Sequence, residues 1–531
     1  MYPVPRSHRP LIMGRNGAVG ANHPMATQAG LDTLRAGGNA VDAAVAISLA
    51  LGVCEPMMSG LGGDGFFHVF MAGAGLGRVY NGTGAAPLAA TAERFAGGIP
   101  VTGPLSASVP GKLAGLGAMH AAHGRLPWAG LAAPAIGLAR HGFAATHGYR
   151  VFTEDNADRL AADPRSGPCF RGKALGALVL QHDLAVTLED VAADGAEGFY
   201  RGRLAGRLAR GFAESGLLVT RADLAACTAE VTAPIGIAYR GWEIRQTPPN
   251  STGFTMLQIL KTAERFDLAA LDPALRVHVL VEAKKLAFCD REAYGADPRC
   301  AAIPLERLLS DAYADEQAAK IDMGRAAELP LAVAAQAADT TYFCVIDADG
   351  NAVSGIQSLN SAYGSGVTAG DTGVVMNNRM AYWHLAPGHA NRLAPGKRVR
   401  HTMNAPMVFQ GGRLWGVLGT PGADNQVQVN AQVLTAMLDH GADPQTALEL
   451  PRWTSSQPGQ GANWPHDGNG ALTIETDFGE AVLADLERRG HRLVRVGHLG
   501  GPCSMQAIRL LENGVRMAGS DPRRDGWAGA Y

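Results

Sequence analysis

A threonine pair, Thr340-Thr341, follows Asp339 in the stretch "AADTTYFCVIDADGNAVSGIQSLN". Two apolar runs alternate at period two around the turn DADGN, so the segment predicts a hairpin. β-branched residues favour strands, which gives the pair a plain structural reading. Its position gives a second one. A hydroxyl that opens a strand after an alanine-rich stretch of weak periodicity stands where a chain can cut itself, and scission between Asp339 and Thr340 would leave Thr340 with a free α-amine. Such an amine has an ordinary pKa of about 7.7–8.0. It can take the proton of the neighbouring hydroxyl near neutral pH, so that base and nucleophile reside in one residue.

Other chemistry-bearing patterns are weaker. "GLGGDG" at 60–65 matches G-x-G-x-x-G, but a dinucleotide fingerprint needs a strand before it and a helix after it. Here a helical pattern precedes and the strand-like "FFHVF" follows, which predicts a tight glycine turn approaching a neighbouring loop. His120 and His123 share a helix face without a third ligand nearby, so they read as a solvated face. Cys344 alternates with Tyr342 and Thr340 and reads as core. The seven cysteines are scattered with no C-x-x-C, which argues against a disulfide framework or a zinc knuckle and for a reducing compartment.

The elements that must position Thr340 can be read from periodicity. "ANHPMATQAGLDTLRAGGNAVDAAVAISLALGVCEP" predicts two packed helices around Gly37-Gly38, after a leader that is assigned no element. "FFHVFMAG" and "GRVYNGTGAAP" read as strands, and 108–150 as alanine-rich helices. Residues 151–300 are mostly helical, with a strand-like insert at "GIAYRGWEIRQTPPNSTG" and a long helix through "ALRVHVLVEAKKLAFCDREAYG". Residues 301–338 read as an exposed linker. Beyond Thr340 the strands "TTYFCVID", "AVSGIQSLN", "GVVMNN", "PMVFQGGRLWGVLG" and "CSMQAIRLLENGVRMAGS" predict stacked sheets covered by helices, an α+β layered fold.

Bulk properties narrow the function classes. With 531 residues, a formal charge of −2 and 18% charged residues, the chain has no global field for nucleic acid or anionic lipid, which leaves a small molecule as the partner. The longest apolar stretch, "AVDAAVAISLALGV", is interrupted by Asp42 and too short to span a bilayer. The N-terminal residues lack the apolar core of a secretion signal. The expected location is cytoplasmic, with no membrane partner.

The segment "DTTYFCVIDADGNAVSGIQSLNSAYGSGVTAGDTGVVMNNRM" resembles the nucleophile region of the γ-glutamyltransferase (glutathione hydrolase) family. "GGNAVDAAVA", "SGLGGDGFF", "SVPG", "TPPNSTG", "EAKKLAFCDR", "PGKRVRHTM", "GTPGAD" and "SDPRRDGWAGAY" extend the resemblance along the whole chain. It implies an N-terminal-nucleophile hydrolase with a four-layer αββα sandwich, no cofactor, and a proenzyme that cleaves into residues 1–339 and 340–531. The two fragments would associate, alone or as a dimer of such pairs. By the same resemblance Thr340 is the nucleophile, Ser358 supports it, Asn360 lines the substrate site, and the amides of Gly422 and Ala423 form the oxyanion hole.

Departures from the family pattern gather at the head-group site. The arginine for the substrate α-carboxylate falls on Thr83, the aspartate for its α-ammonium falls on Tyr382, and a serine pair becomes His401-Thr402. Arg379 adds a cation. With both clamps lost, a short acidic amide is favoured over glutathione. The branch carrying "NNR", "PGKR-x-x-HT" and the glutamine-rich "NQVQVNAQ" resembles the oxamate amidohydrolases. A γ-glutamyl hydrolase or transferase with altered head-group contacts is the alternative.

Overall fold

Alternation along Thr341–Ile346 has a direct structural consequence. Tyr342, Cys344 and Ile346 are buried on one face and Phe343 and Val345 on the other, so this strand must lie inside a sheet covered on both sides. The computed structural model, which describes residues 7–328 and 339–531, places it there. The strand Asp339–Asp347 pairs antiparallel with Ala352–Asn360 on one side and with Gly17–Ala21 on the other. Asp64–Met71, Leu76–Gly82 and Glu230–Thr232 extend this seven-stranded sheet on one flank, and Trp527–Ala530 closes the other.

A second seven-stranded sheet runs in the order Ile12–Gly14, Arg516–Ser520, Gln506–Leu510, Arg413–Gly419, Met407–Gln410, Trp242–Gln246, Ile235–Tyr239. Tyr342, Cys344, Phe66 and Ile356 of the first sheet meet Met407, Phe409, Val417 and Ile508 of the second in the central core. Outside the first sheet pack helices that include Ala40–Cys54, Lys112–His123 and Trp128–His141. Outside the second lie Gly253–Ala263, Pro273–Tyr294 and Gln426–Leu438. The result is the expected αββα sandwich. All 15 residues of Ala40–Cys54 are buried, which is why the segment is apolar all round. Asn39 and Asp42 close its N-terminus as a reciprocal capping box.

Three expectations need correction. The unassigned leader supplies Gly17–Ala21, a strand next to the nucleophile strand; its small residues carry no alternation, because they are buried on both faces. The stretch read as linker holds helices at Leu305–Leu308 and Asp311–Ala318, and residues 329–338 lie outside the described residues. "GVVMNN" makes only isolated bridges, Thr368 to Val375 and Gly62 to Met376, because its neighbours are turns rather than strands.

Candidate active site

Thr340 sits where the register between its strand and Ala352–Asn360 shifts by one residue, an irregularity that re-aims side chains. Its Oγ1 donates to Ser358 Oγ at 3.2 Å, and Ser358 Oγ also accepts the amide of Asn360 at 2.7 Å. Thr341 Oγ1 donates to Glu55 Oε2 at 2.6 Å, which fastens the strand head to the end of the buried helix Ala40–Cys54.

Across the next strand, Asp64 is the register partner of Ser358. It is the charged residue of the glycine turn: Gly62 and Gly63 approach the chain so closely that an added Cβ would lie 2.2 Å from Val375 O and 2.4 Å from Ser358 O respectively. Asp64 Oδ1 accepts the amide of Gly84 at 2.8 Å, while Oδ2 stands 3.5 Å from both Arg379 Nε and His401 Nε2. All three side chains are buried. Arg379 lies over the ring of Tyr382 at 4.5 Å, and the Tyr382 and Thr402 hydroxyls share a hydrogen bond of 3.1 Å. Asn360 Nδ2 donates to Asn378 O and to Asn463 Oδ1.

Buried polar atoms in this cluster are left over. Asp64 Oδ2, Asn360 Oδ1, Arg379 Nε and Nη2, both ring nitrogens of His401 and Asn463 Nδ2 have no hydrogen-bond partner among the described residues. Buried polar groups are almost always bonded, so this concentration marks a place shaped for a polar ligand. Burial raises the Asp64 carboxyl to about 6 against the opposing pull of Arg379 and the backbone amides. Burial, with Arg379 and Arg398 nearby, lowers His401 well below the ordinary imidazole value, so His401 is neutral at pH 7.

Gly422 and Ala423 lie on the second sheet's side, after the strand Arg413–Gly419, whose Gly419 is packed so close to the Tyr342 ring that a Cβ would lie 2.3 Å from it. Gly422 has φ 119° and Ala423 φ 48°. A Cβ at 422 would meet Cys503 Sγ at 2.4 Å, so glycine is required there. Ala423 does follow the left-handed conformation, at a cost of about 1–2 kcal/mol. The turn leads into the helix Gln426–Leu438, whose N-terminal dipole favours negative charge. A cavity of about 400 Å³ borders both residues together with Lys284, Gln460 and Arg524.

The structure thus links Thr340, Ser358, Asn360, Arg379, Tyr382, His401 and Thr402 through contacts or strand register, with Gly422 and Ala423 in the turn that follows a strand of the facing sheet. Thr83 is adjacent through Gly84, but its hydroxyl is taken by Asn81 Oδ1 at 2.7 Å. Arg379 is neither solvent-exposed nor paired with Asp371, which binds Arg207. His120 and His123 are not a solvated face: they bond Leu126 O and the Tyr80 hydroxyl. Cys344 is core, as expected. Sequence reasoning missed Asp64 and Asn463; a carboxylate at the mouth of an apolar strand was the available signal for the first. Two groups of ligand-type side chains lie elsewhere. In His278/Glu282/His491 the carboxylate is held by Lys285 and the Ala327 amide, and in Glu292/His384/His389 by Arg291 and Arg400.

Two facing antiparallel sheets between helical layers, with a threonine hydroxyl at the head of a central strand, define an amide-bond hydrolase of the N-terminal-nucleophile class. The family model described as gamma-glutamyltranspeptidase matches residues 26–531, and the chain belongs to that family. It is 40% identical to the glutathione hydrolase-like YwrD proenzyme of Bacillus subtilis, covering 97% of this chain and 99% of the relative. Identity is 37% to the acylase ACY 1 proenzyme of Pseudomonas sp. (strain SE83), covering 99% and 96%, and 35% to the oxamate amidohydrolase proenzyme of Klebsiella pneumoniae, covering 97% and 98%. The crystal structure of cephalosporin acylase from Bacillus halodurans superimposes with a TM-score of 0.91 at 34% identity, covering 100% of this chain and 98% of the other.

Proposed function

We propose that the chain is a proenzyme that cuts itself between Asp339 and Thr340, and that the mature enzyme hydrolyses a small acidic amide of the oxamate type through an acyl-enzyme on Thr340. The freed amine of Thr340 accepts the Oγ1 proton, with Ser358 Oγ holding the hydroxyl in place. Oγ1 attacks the amide carbon, the C–N bond breaks, and the proton passes to the departing nitrogen. Water then releases the acid by the reverse arrangement. The Gly422 and Ala423 amides donate to the oxyanion, where each such donor typically contributes about 2.7–4 kcal/mol. The fragments 1–339 and 340–531 stay together as one enzyme.

One observation carries the substrate reading. Arg379 is buried, and Nε and Nη2, the two-pronged edge of its guanidinium, make no hydrogen bond among the described residues, although Nε stands in ion-pair range of Asp64 Oδ2 at 3.5 Å; such an edge matches a carboxylate bidentately. A carboxylate directly next to the scissile carbon suits that edge better than the distant α-carboxylate of a γ-glutamyl group. The second reading, a γ-glutamyl hydrolase or transferase with altered head-group contacts, is favoured by the cavity of about 400 Å³ beside Gly422 and Ala423, which is larger than a two-carbon acid needs.

Hydrolysis of oxamate, glutathione and a chromogenic γ-glutamyl amide by the same preparation decides between them. Oxamate should be turned over with the highest kcat/KM, and Arg379→Lys should lose at least about tenfold on it, because an ammonium cannot reproduce the two-pronged contact. A wide preference for glutathione would transfer the assignment to the second reading.

A further inference from the structure

Arg379 does not face its pocket alone. Asp64 Oδ2 is in ion-pair range of it at 3.5 Å but accepts no hydrogen bond among the described residues, and neither does Oδ1 of Asn360, the residue that also binds Asn463. Donors and acceptors are therefore both left over in one buried cluster. A ligand that brought only a carboxylate would satisfy Arg379 and leave the two acceptor oxygens unpaired, next to a negative charge of its own. A ligand that brought a carboxylate and an N–H donor a bond or two apart would satisfy both sets.

We propose that Asp64 is a specificity-determining residue that accepts a hydrogen bond from the N–H of the substrate amide while Arg379 takes the adjacent carboxylate. This rests on the acidic-amide reading of the site. The placement agrees: Asp64 is the register partner of Ser358, whose Oγ holds the nucleophile at 3.2 Å, so a group bound at Asp64 Oδ2 lies beside the reacting carbon. Oδ1 is already fixed by the Gly84 amide at 2.8 Å, which leaves Oδ2 as the oxygen for the ligand. His401, neutral and 3.5 Å from the same oxygen, has both ring nitrogens unpaired; it donates from one of them to the ligand or to Asp64 without adding charge. The pocket thereby prefers primary amides to esters and ketones of the same acid.

Oxamate and pyruvate separate this contact from the Arg379 contact, because they share the carboxylate and the carbonyl and differ in NH2 against CH3. Apparent affinities of both would be measured on the mature wild type and on Asp64→Asn, as KM where the ligand is turned over and by calorimetry where it is not, with oxamate kcat followed in parallel. Asparagine keeps an oxygen for Gly84 and replaces the accepting carboxylate oxygen by a donor. The substitution should weaken oxamate by about tenfold or more, the range of one charge-assisted hydrogen bond, and pyruvate by less than about threefold. Equal loss on both ligands would mean that Asp64 only holds Arg379 in place, and no loss on either, or no binding of either to wild type, would equally overturn the proposal. If wild type binds oxamate in this selective way but does not hydrolyse it, the proposed function fails and the Asp64 contact stands.

Should Asp64→Asn not accumulate, the same two ligands titrated against wild type read the contact. Arg379 and His401 face the carboxyl directly, Tyr200 and Cys227 lie further out, and the freed Thr340 amine, ordinarily about 7.7–8.0, is next to Ser358; the Asp64 group titrates at about 6, below the amine, so a change between pH 5 and 7 reports the carboxyl. The preference for oxamate over pyruvate should vanish as the pH falls below that value; a preference that is flat from pH 5 to 8 refutes the assignment.

Discussion

Under the proposed function, Thr340 is one hydroxyl that would do two reactions, first on the Asp339 carbonyl and then on a substrate. Its 3.2 Å contact with Ser358 and the register shift beside it give a geometry that serves both. Thr340→Ala should therefore abolish scission and hydrolysis together, while Thr340→Ser should retain part of each. A denaturing gel should show two fragments for wild type and one band for Thr340→Ala, and sequencing of the smaller fragment should begin Thr-Thr-Tyr. A start at Thr341 would move the nucleophile. The hydroxyl pair was legible because its position, behind a weakly ordered stretch and ahead of a regular hairpin, is a linear property of the chain. Asn463 was not, and Asp64 only as a carboxylate at the mouth of an apolar strand, because their significance lies in buried atoms without a hydrogen bond that become neighbours of Asn360 and Arg379 only after distant segments, 103 positions apart for Asn360 and Asn463, have folded together.

At the scale of elements, alternation and glycine placement were legible where a segment has two unlike faces or a forced turn. The hairpin Asp339–Asn360, the strand pairs at 235–246, 407–419 and 506–520 and the helix Pro273–Tyr294 all follow from pattern. Gly17–Ala21 and Trp527–Ala530 did not, since short strands of small residues take their conformation from partners rather than from propensity. The glycine turn before Asp64 was legible as a close approach, and it sets the height of Asp64 over the site. Gly62→Ala would place a Cβ 2.2 Å from Val375 O, which backbone must yield to. That variant should lose at least about 1–3 kcal/mol of stability, as overpacked sites do, and should lose activity, because the displaced turn carries Asp64 with it. Thermal unfolding and kcat/KM on the best substrate check both halves; a variant with wild-type values would show that the turn is slack.

For the whole molecule, the main fact is interleaving. In the first sheet the strand Asp339–Asp347 lies between Gly17–Ala21 and Ala352–Asn360, and in the second Met407–Gln410 abuts Trp242–Gln246, so the proposed cut before Thr340 would leave the two pieces interleaved in both sheets. Stability is therefore a property of the whole interleaved fold, cut or uncut, and a penalty anywhere in it is felt on both sides of the proposed cut. Lys112 carries such a penalty. It is buried without a partner for Nζ among the described residues, at the first position of the helix Lys112–His123, where the helix dipole opposes a cation. Burial lowers it from the usual lysine value to about 7. Between that value and about 10.4, where an unfolded lysine titrates, the unfolded chain holds a proton that the folded one does not, so stability rises with pH through this window. Below it the folded state carries an unpaired charge and the penalty is complete. Lys112→Met, which keeps the length of the side chain and removes the charge, should raise the melting temperature by a few degrees at pH 6, and the gain should shrink steadily toward pH 10. Scans at one fixed rate would make the comparison, since unfolding of so large a chain is read as a rate. A gain of equal size at both pH values would place the effect in packing rather than charge, and a loss at pH 6 would mean that the ammonium is held by a partner.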